Sequence, residues 1–324
     1  MKRILSLTFA AALLAVFGLS GASHRLNTVH AQTEGSGAPE IIKHRVNPHG
    51  ADSFALTQGS TTPTSAILYH GGPLIPTPTI YLIWYGNWNQ SNGSDTPAGQ
   101  QIVRDFASSI GNSGYFNINT SYSTGGYTIT GGATYGGQTT DAYSLGTRLR
   151  DSSILTIVDN AITSGRLPYN ANGVYFVLTS SDVTEQSGFC TKYCGWHTAG
   201  SPSAGHVRYS FVGNANRCLN ACAAQTTSPN GNAGVDGMIS VIAHELEEAT
   251  TDPDPRTGWA DSGGAENADK CAWTFGHSQY QVANGSWANV HLGTRDFLIQ
   301  RNLYHNLNGP NGLGDYCMMD STHN

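Results

Sequence analysis

The sequence predicts an α+β or α/β fold, with a mixed sheet packed against helices and a C-terminal half stabilised by disulfides. Three observations carry that expectation. Short apolar runs such as "IYLIWY" and "GVYFVLT" have the length and the β-branched and aromatic content of buried strands. Stretches with apolar residues at helical spacing lie between and after them. All six cysteines, at 190, 194, 218, 222, 271 and 317, fall in the C-terminal half, so the N-terminal half must hold itself together without them.

Taken in order, Lys2 and Arg3 precede an apolar run from Ile4 to Leu19 and then small residues. That is the pattern of a secretory signal peptide over 1–23, with cleavage as late as residue 31. The run is short for a span of about 20 apolar residues and nothing later approaches it, so no membrane span is expected once the signal is removed. Residues 32–65 are polar and aperiodic and read as a flexible lead segment. A single domain is expected over 66–324. Its first strand covers Ile80–Tyr85, and Thr96 and Pro97 open a helix with Ile102, Val103 and Phe106 on one face. The Gly, Tyr and Thr-rich "YSTGGYTITGGATYGGQTT" reads as short strands and turns. A second helix pattern over 151–164 carries Ile154, Leu155, Val158 and Ile162, and strands follow in "GVYFVLTSSDV" and "GHVRYSFVGN". The last strong helix runs from Val235 to Thr250, and loops with weak short elements come after it. Strands and helices in this mixed order, without a Gly-rich phosphate loop, give the fold class.

Charged residues are only 12% of the chain and the net charge of −6 includes no basic cluster, which excludes nucleic acid and anionic membrane as partners. The knuckle-like spacings Cys190-x3-Cys194 and Cys218-x3-Cys222 would suit zinc. An oxidising compartment favours disulfides instead, with all six cysteines as candidates and their pairing open. The aromatic side chains Trp84, Tyr85 and Trp88 have the character needed to stack on sugars, but a core strand with an aromatic turn accounts for them better.

The chemistry concentrates on the last helix, in "AHELEEATTDPDP". Val235, Met238, Ile239, Ile242, Leu246 and Ala249 form an apolar stripe. His244 and Glu248, four residues apart, share the other side with Glu245. This is a zincin-like active-site helix, H-E-x-x-E where H-E-x-x-H is usual: two ligands one turn apart, a base, and a packed face behind a cleft-lining face. The sequence downstream, "GWADSGGAENADKCAW", offers Glu266 as the third ligand, 22 residues after His244. Asp269 stands as a further ligand or as a carboxylate that orients His244. Asp254, ten residues after His244, is the rival third ligand. One imidazole with two carboxylates neutralises a cation more fully than two imidazoles with one. Zinc is the first expectation, with manganese, iron or calcium as alternatives. Glu245 would be the catalytic base on a metal-bound water. Asp252, Asp254, Asp261, Glu266 and Asp269 would otherwise form a calcium-binding or merely solvated acidic loop. His197 and His206 are candidate donors into the cleft, with structural duties near the disulfides as the simpler explanation, and His70 reads as a loop residue.

Five further segments, in order, are "YHGGP", "IYLIWYG", "YFVLTSSDV" leading to "GFCTKYCGWH", "YSFVGN" with two following cysteines, and "SPNGNAGVDGMI". Together they resemble the phosphate-induced protein 1, or EXORDIUM-like, family over roughly 69–240. The resemblance implies an extracellular or cell-wall-associated protein, linked in plant members to growth responses without an established activity. The plant helix after "VDGM" lacks "HELEE", and the version here resembles a microbial branch. The reading from sequence is therefore a secreted EXORDIUM-like protein with a divalent-metal site. It would be a zinc-dependent metallopeptidase-like hydrolase acting on a peptide or cell-wall-associated substrate. The alternative is a non-catalytic extracellular or cell-wall binding or signalling protein.

Overall fold

The computed structural model describes residues 40–43, 65–306 and 314–321. The signal-peptide segment and most of the stretch read as a lead lie outside the described residues. Six strands form the main sheet: β1 (Glu40–Lys43), β2 (Thr79–Tyr85), β3 (Thr134–Asp141), β4 (Gly173–Thr179), β5 (Tyr193–Gly200) and β6 (Val207–Gly213). Their spatial order is β1-β5-β6-β4-β2-β3. The four strands β6, β4, β2 and β3 run parallel, and β5 and β1 add antiparallel at one side. β2 and β4 are flanked by strands and covered on both faces, which is why they read as unbroken apolar runs rather than alternating ones.

Helix α1 (Pro97–Ser109) connects β2 to β3, and α2 (Asp151–Thr163) connects β3 back across the sheet to β4. The two crossovers travel in opposite directions, so their right-handedness puts α1 and α2 on opposite faces. Both helices lie where the apolar periodicity predicts them. Thr96 caps α1 by accepting from the Gly99 N–H at 3.0 Å, with Pro97 in the first turn. Trp84, Tyr85 and Trp88 are buried in the core, which removes them as a sugar-stacking surface.

Helix α3 (Ala233–Thr251) packs beside α1 and crosses under β5 and β6. Its start is fixed by Asn232, whose side chain accepts from the Val235 N–H at 3.2 Å, and by Asp236 in the first turn, where a negative charge suits the helix dipole. The expected division into a packed face and a cleft-lining face is corrected here. Nearly every residue from Gly234 to Thr251 is buried, because the 3-10 segment Phe116–Tyr122 and the strand Arg295–Phe297 also pack on the helix. Periodicity reports the apolar stripe, but it cannot report what covers a polar one.

The strand β5 was not expected from the sequence. "YCGWHTAG" has no alternating pattern and sits among cysteines, and it becomes a strand by pairing with β6 on one side and β1 on the other. Disulfides join Cys190 to Cys218, Cys194 to Cys222 and Cys271 to Cys317, which settles the pairing and replaces the zinc-knuckle alternative. Among the described residues no helix is long and apolar enough to cross a membrane.

Candidate metal centre

The site forms where α3 passes beneath β5. Gly195 permits that approach: a Cβ there would come within 2.5 Å of Val241 Cγ1 and 3.3 Å of Glu245 Oε1. Two residues along the strand, on the same face by strand periodicity, His197 reaches the same helix. From α3 come His244, Glu245 and Glu248, and from the loop after the helix come Glu266 and Asp269. All but Asp269 are fully buried.

His244 Nε2 lies 2.8 Å from Glu248 Oε1 and 3.7 Å from Asp269 Oδ1. The Asp269 N–H donates to Glu248 Oε1 at 3.0 Å, which fixes that carboxylate. Neither ring nitrogen of His244 has a partner with hydrogen-bond geometry among the described residues, close as Nε2 is to the carboxylate. The ligand atoms of His244, Glu248 and Asp269 lie close enough together to share one cation. His197 makes the second half of the cluster. Its Nδ1 is 3.3 Å from Glu245 Oε2 and 3.5 Å from Glu248 Oε2, and its Nε2 is 3.6 Å from Glu266 Oε2 and 3.3 Å from the Asp252 carbonyl. Ligand atoms within 4.8 Å of one another thus define two trios, His244 with Glu248 and Asp269, and His197 with Glu245 and Glu248.

These neighbours control one another's charges. Burial opposes a charge on His197, but the Glu245 and Glu248 carboxylates outweigh it and hold the ring up at about 10. His244 is raised well above the usual range in the same way, burial being overcome first by Glu248. Burial pushes Glu245 up and His197 pulls it part of the way back, leaving it at about 7. Glu248 is held down at about 2 because His244 and His197 together overcome its burial. Two imidazoles cannot neutralise Glu245, Glu248, Glu266 and Asp269 together, and uncompensated buried charge is costly. The donor set, with two imidazoles and hard carboxylate oxygens, fits a divalent cation.

The remaining sequence candidates are distributed as follows. Glu266 reaches the cluster from the His197 side rather than from the His244 side. Asp254 is elsewhere, paired with His206 at 2.9 Å and Arg208 at 3.0 Å. Asp252 accepts from the Arg256, Thr257 and Gly258 N–H groups, and Asp261 pairs with Lys270, so the acidic residues do not share one loop cage. His70 Nε2 lies 3.1 Å from the Ala260 carbonyl, in a loop position. His197 is the member that sequence reasoning underweighted. Its one signal was the pattern of a buried strand beside a cysteine, and that pattern is weak in "CGWH".

Residues 67–293 match the family model of the phosphate-induced protein 1 conserved region. Protein EXORDIUM-like 3 of Arabidopsis thaliana is 33% identical over 76% of this chain and 83% of its own length. EXORDIUM-like 5 of the same plant is 33% identical over 70% of this chain and 69% of its own length. Protein PHOSPHATE-INDUCED 1 of Nicotiana tabacum is 27% identical over 62% of this chain and 70% of its own length. No solved structure matches.

Proposed function

The chain belongs to the phosphate-induced protein 1 family, and on that premise we propose that it is a secreted metallohydrolase whose cation is held by His244, Glu248 and Asp269. One observation carries the reading: three ligand atoms from α3 and the following loop lie within 4.8 Å of one another in a buried place, where neither ring nitrogen of His244 has a partner with hydrogen-bond geometry among the described residues. Zinc suits the site first, and manganese, iron or calcium would also accept the carboxylate-rich set.

A bound cation supplies a Lewis acid that acidifies its water and polarises a substrate carbonyl. The protein's own residues supply the rest. Glu245, held near neutrality by burial against its His197 contact, takes up a proton at Oε1, the oxygen that has no hydrogen-bond partner among the described residues. His197 fixes the direction of Glu245 through Oε2, and the Asp269 N–H fixes Glu248. The half-buried Asp269 lies at the solvent side of the cluster. The substrate class in this reading is a peptide in the secreted or wall-associated space.

The complete burial of His197, Glu245 and Glu248 favours a second reading, in which the cation is structural and the protein is a non-catalytic extracellular binding module. Elemental mass spectrometry on the secreted wild type and on His244→Ala separates these readings from an empty helix. At least one zinc or manganese per chain, with fewer in the variant, supports the site, and no metal in either protein rejects it. Peptide hydrolysis by wild type that is lost in Glu245→Gln selects the enzyme. Metal without hydrolysis selects the binding module.

A further inference from the structure

We propose a second divalent-cation position, built by His197, Glu245 and Glu248, that shares the Glu248 carboxylate with the first; this rests on the metal reading above. The two oxygens of Glu248 are divided between the trios. Oε1 faces His244 and the Asp269 N–H, while Oε2 faces His197 at 3.5 Å. A carboxylate split between two sets of ligands is the arrangement that bridges paired cations. The second trio also has oxygens with nothing else to bind: Glu248 Oε2 and Glu245 Oε1 are buried and make no hydrogen bond among the described residues.

Charge supports the same count. Once a first divalent cation is bound, the carboxylates of Glu245, Glu248, Glu266 and Asp269 still carry more negative charge than that cation and a proton on His197 together offset. The nearby acids do not add to this excess in the same way. Asp252 accepts from three backbone N–H groups, and Glu247 accepts from Asn302 at 2.7 Å through Oε2 and belongs to neither trio. A second divalent cation brings the cluster to neutrality inside the protein, where excess charge is least tolerable.

The position has a regulatory consequence. A cation there takes Glu245 as a ligand, so Glu245 can act as a base only while the second position is empty. The second cation is the weaker one, because the trio lacks the backbone N–H that fixes Oε1 on the other side. Metal in excess should therefore inhibit the protein that one equivalent activates.

The test is a titration of chelator-treated, full-length secreted protein with zinc and with manganese. Calorimetry reads the stoichiometry, and elemental analysis of gel-filtered samples gives an independent count. Wild type should take two cations per chain in two affinity classes, and the near-isosteric Glu245→Gln should take one. His197→Gln should likewise lose the weaker class, with circular dichroism and melting to show that the variants are folded. A single class that Glu245→Gln leaves unchanged would overturn the second position while keeping the first. Two classes retained in a folded Glu245→Gln would also overturn it, and no binding in any protein would reject the metal reading itself.

Discussion

At the scale of single residues, the site is governed by how buried charges are matched. Lys270, next in sequence to Asp269, shows the rule outside the cluster, where it pairs with Asp261 and with Ser65. Burial works against a charge on Asp261, but Lys270 outweighs it and holds the carboxyl down at about 2. A depressed folded-state value gives stability that is fully present above the unfolded value of about 4 and is lost as the pH falls towards about 2. Lys270→Met should therefore reduce stability near neutrality and flatten its loss across that acid window. Melting temperatures of the two proteins from pH 6 to pH 2 check this, and parallel curves would reject it. Glycine acts at this scale by absence. Gly195 lets β5 meet α3, and Gly237 lets α3 pass the turn at Ala215, where a Cβ would come within 2.8 Å of the alanine's own.

At the scale of elements, one helix, one strand and one loop each deliver part of the cluster, and disulfides hold two of the three. The bridges Cys190–Cys218 and Cys194–Cys222 tie the entry of β5, and so His197, to the helical turn Leu219–Cys222. Cys271 lies two residues beyond Asp269 and is tied to Cys317, at a sequence separation of 46. Closing a loop of that length restricts the unfolded chain by about 4 kcal/mol in the entropic account. The paired change Cys271→Ser with Cys317→Ser should lower stability by roughly 2–4 kcal/mol. It should also weaken metal binding by freeing the Asp269 loop, whereas opening the Cys190–Cys218 bridge should act chiefly through the His197 side. Denaturant unfolding together with metal titration separates these effects. Unchanged affinity in the first variant would show that the loop holds its place without the bridge.

For the whole molecule, the cluster sits in the joint between the antiparallel side of the sheet and helix α3, so cation binding and folding should be linked. Metal held at 100 times its dissociation constant stabilises by about 2.7 kcal/mol. Chelation should then lower the melting temperature by on the order of 5–10 °C in a domain of this size. An identical melt with and without chelator would show that the folded state gains nothing from the ion. The sequence by itself determined the buried strands β2, β4 and β6, the helices, the oxidised cysteines, the family and the HExxE helix. Each of these is written in local periodicity, composition or contiguous motif. Only the tertiary structure decided that the polar side of α3 is covered, that "CGWHTAG" is a strand, that His197 stands against Glu245 and Glu248, and that Asp254 pairs elsewhere. Those facts depend on which distant segments pack together, and the energy that selects the packing is shared among contacts far apart in the chain.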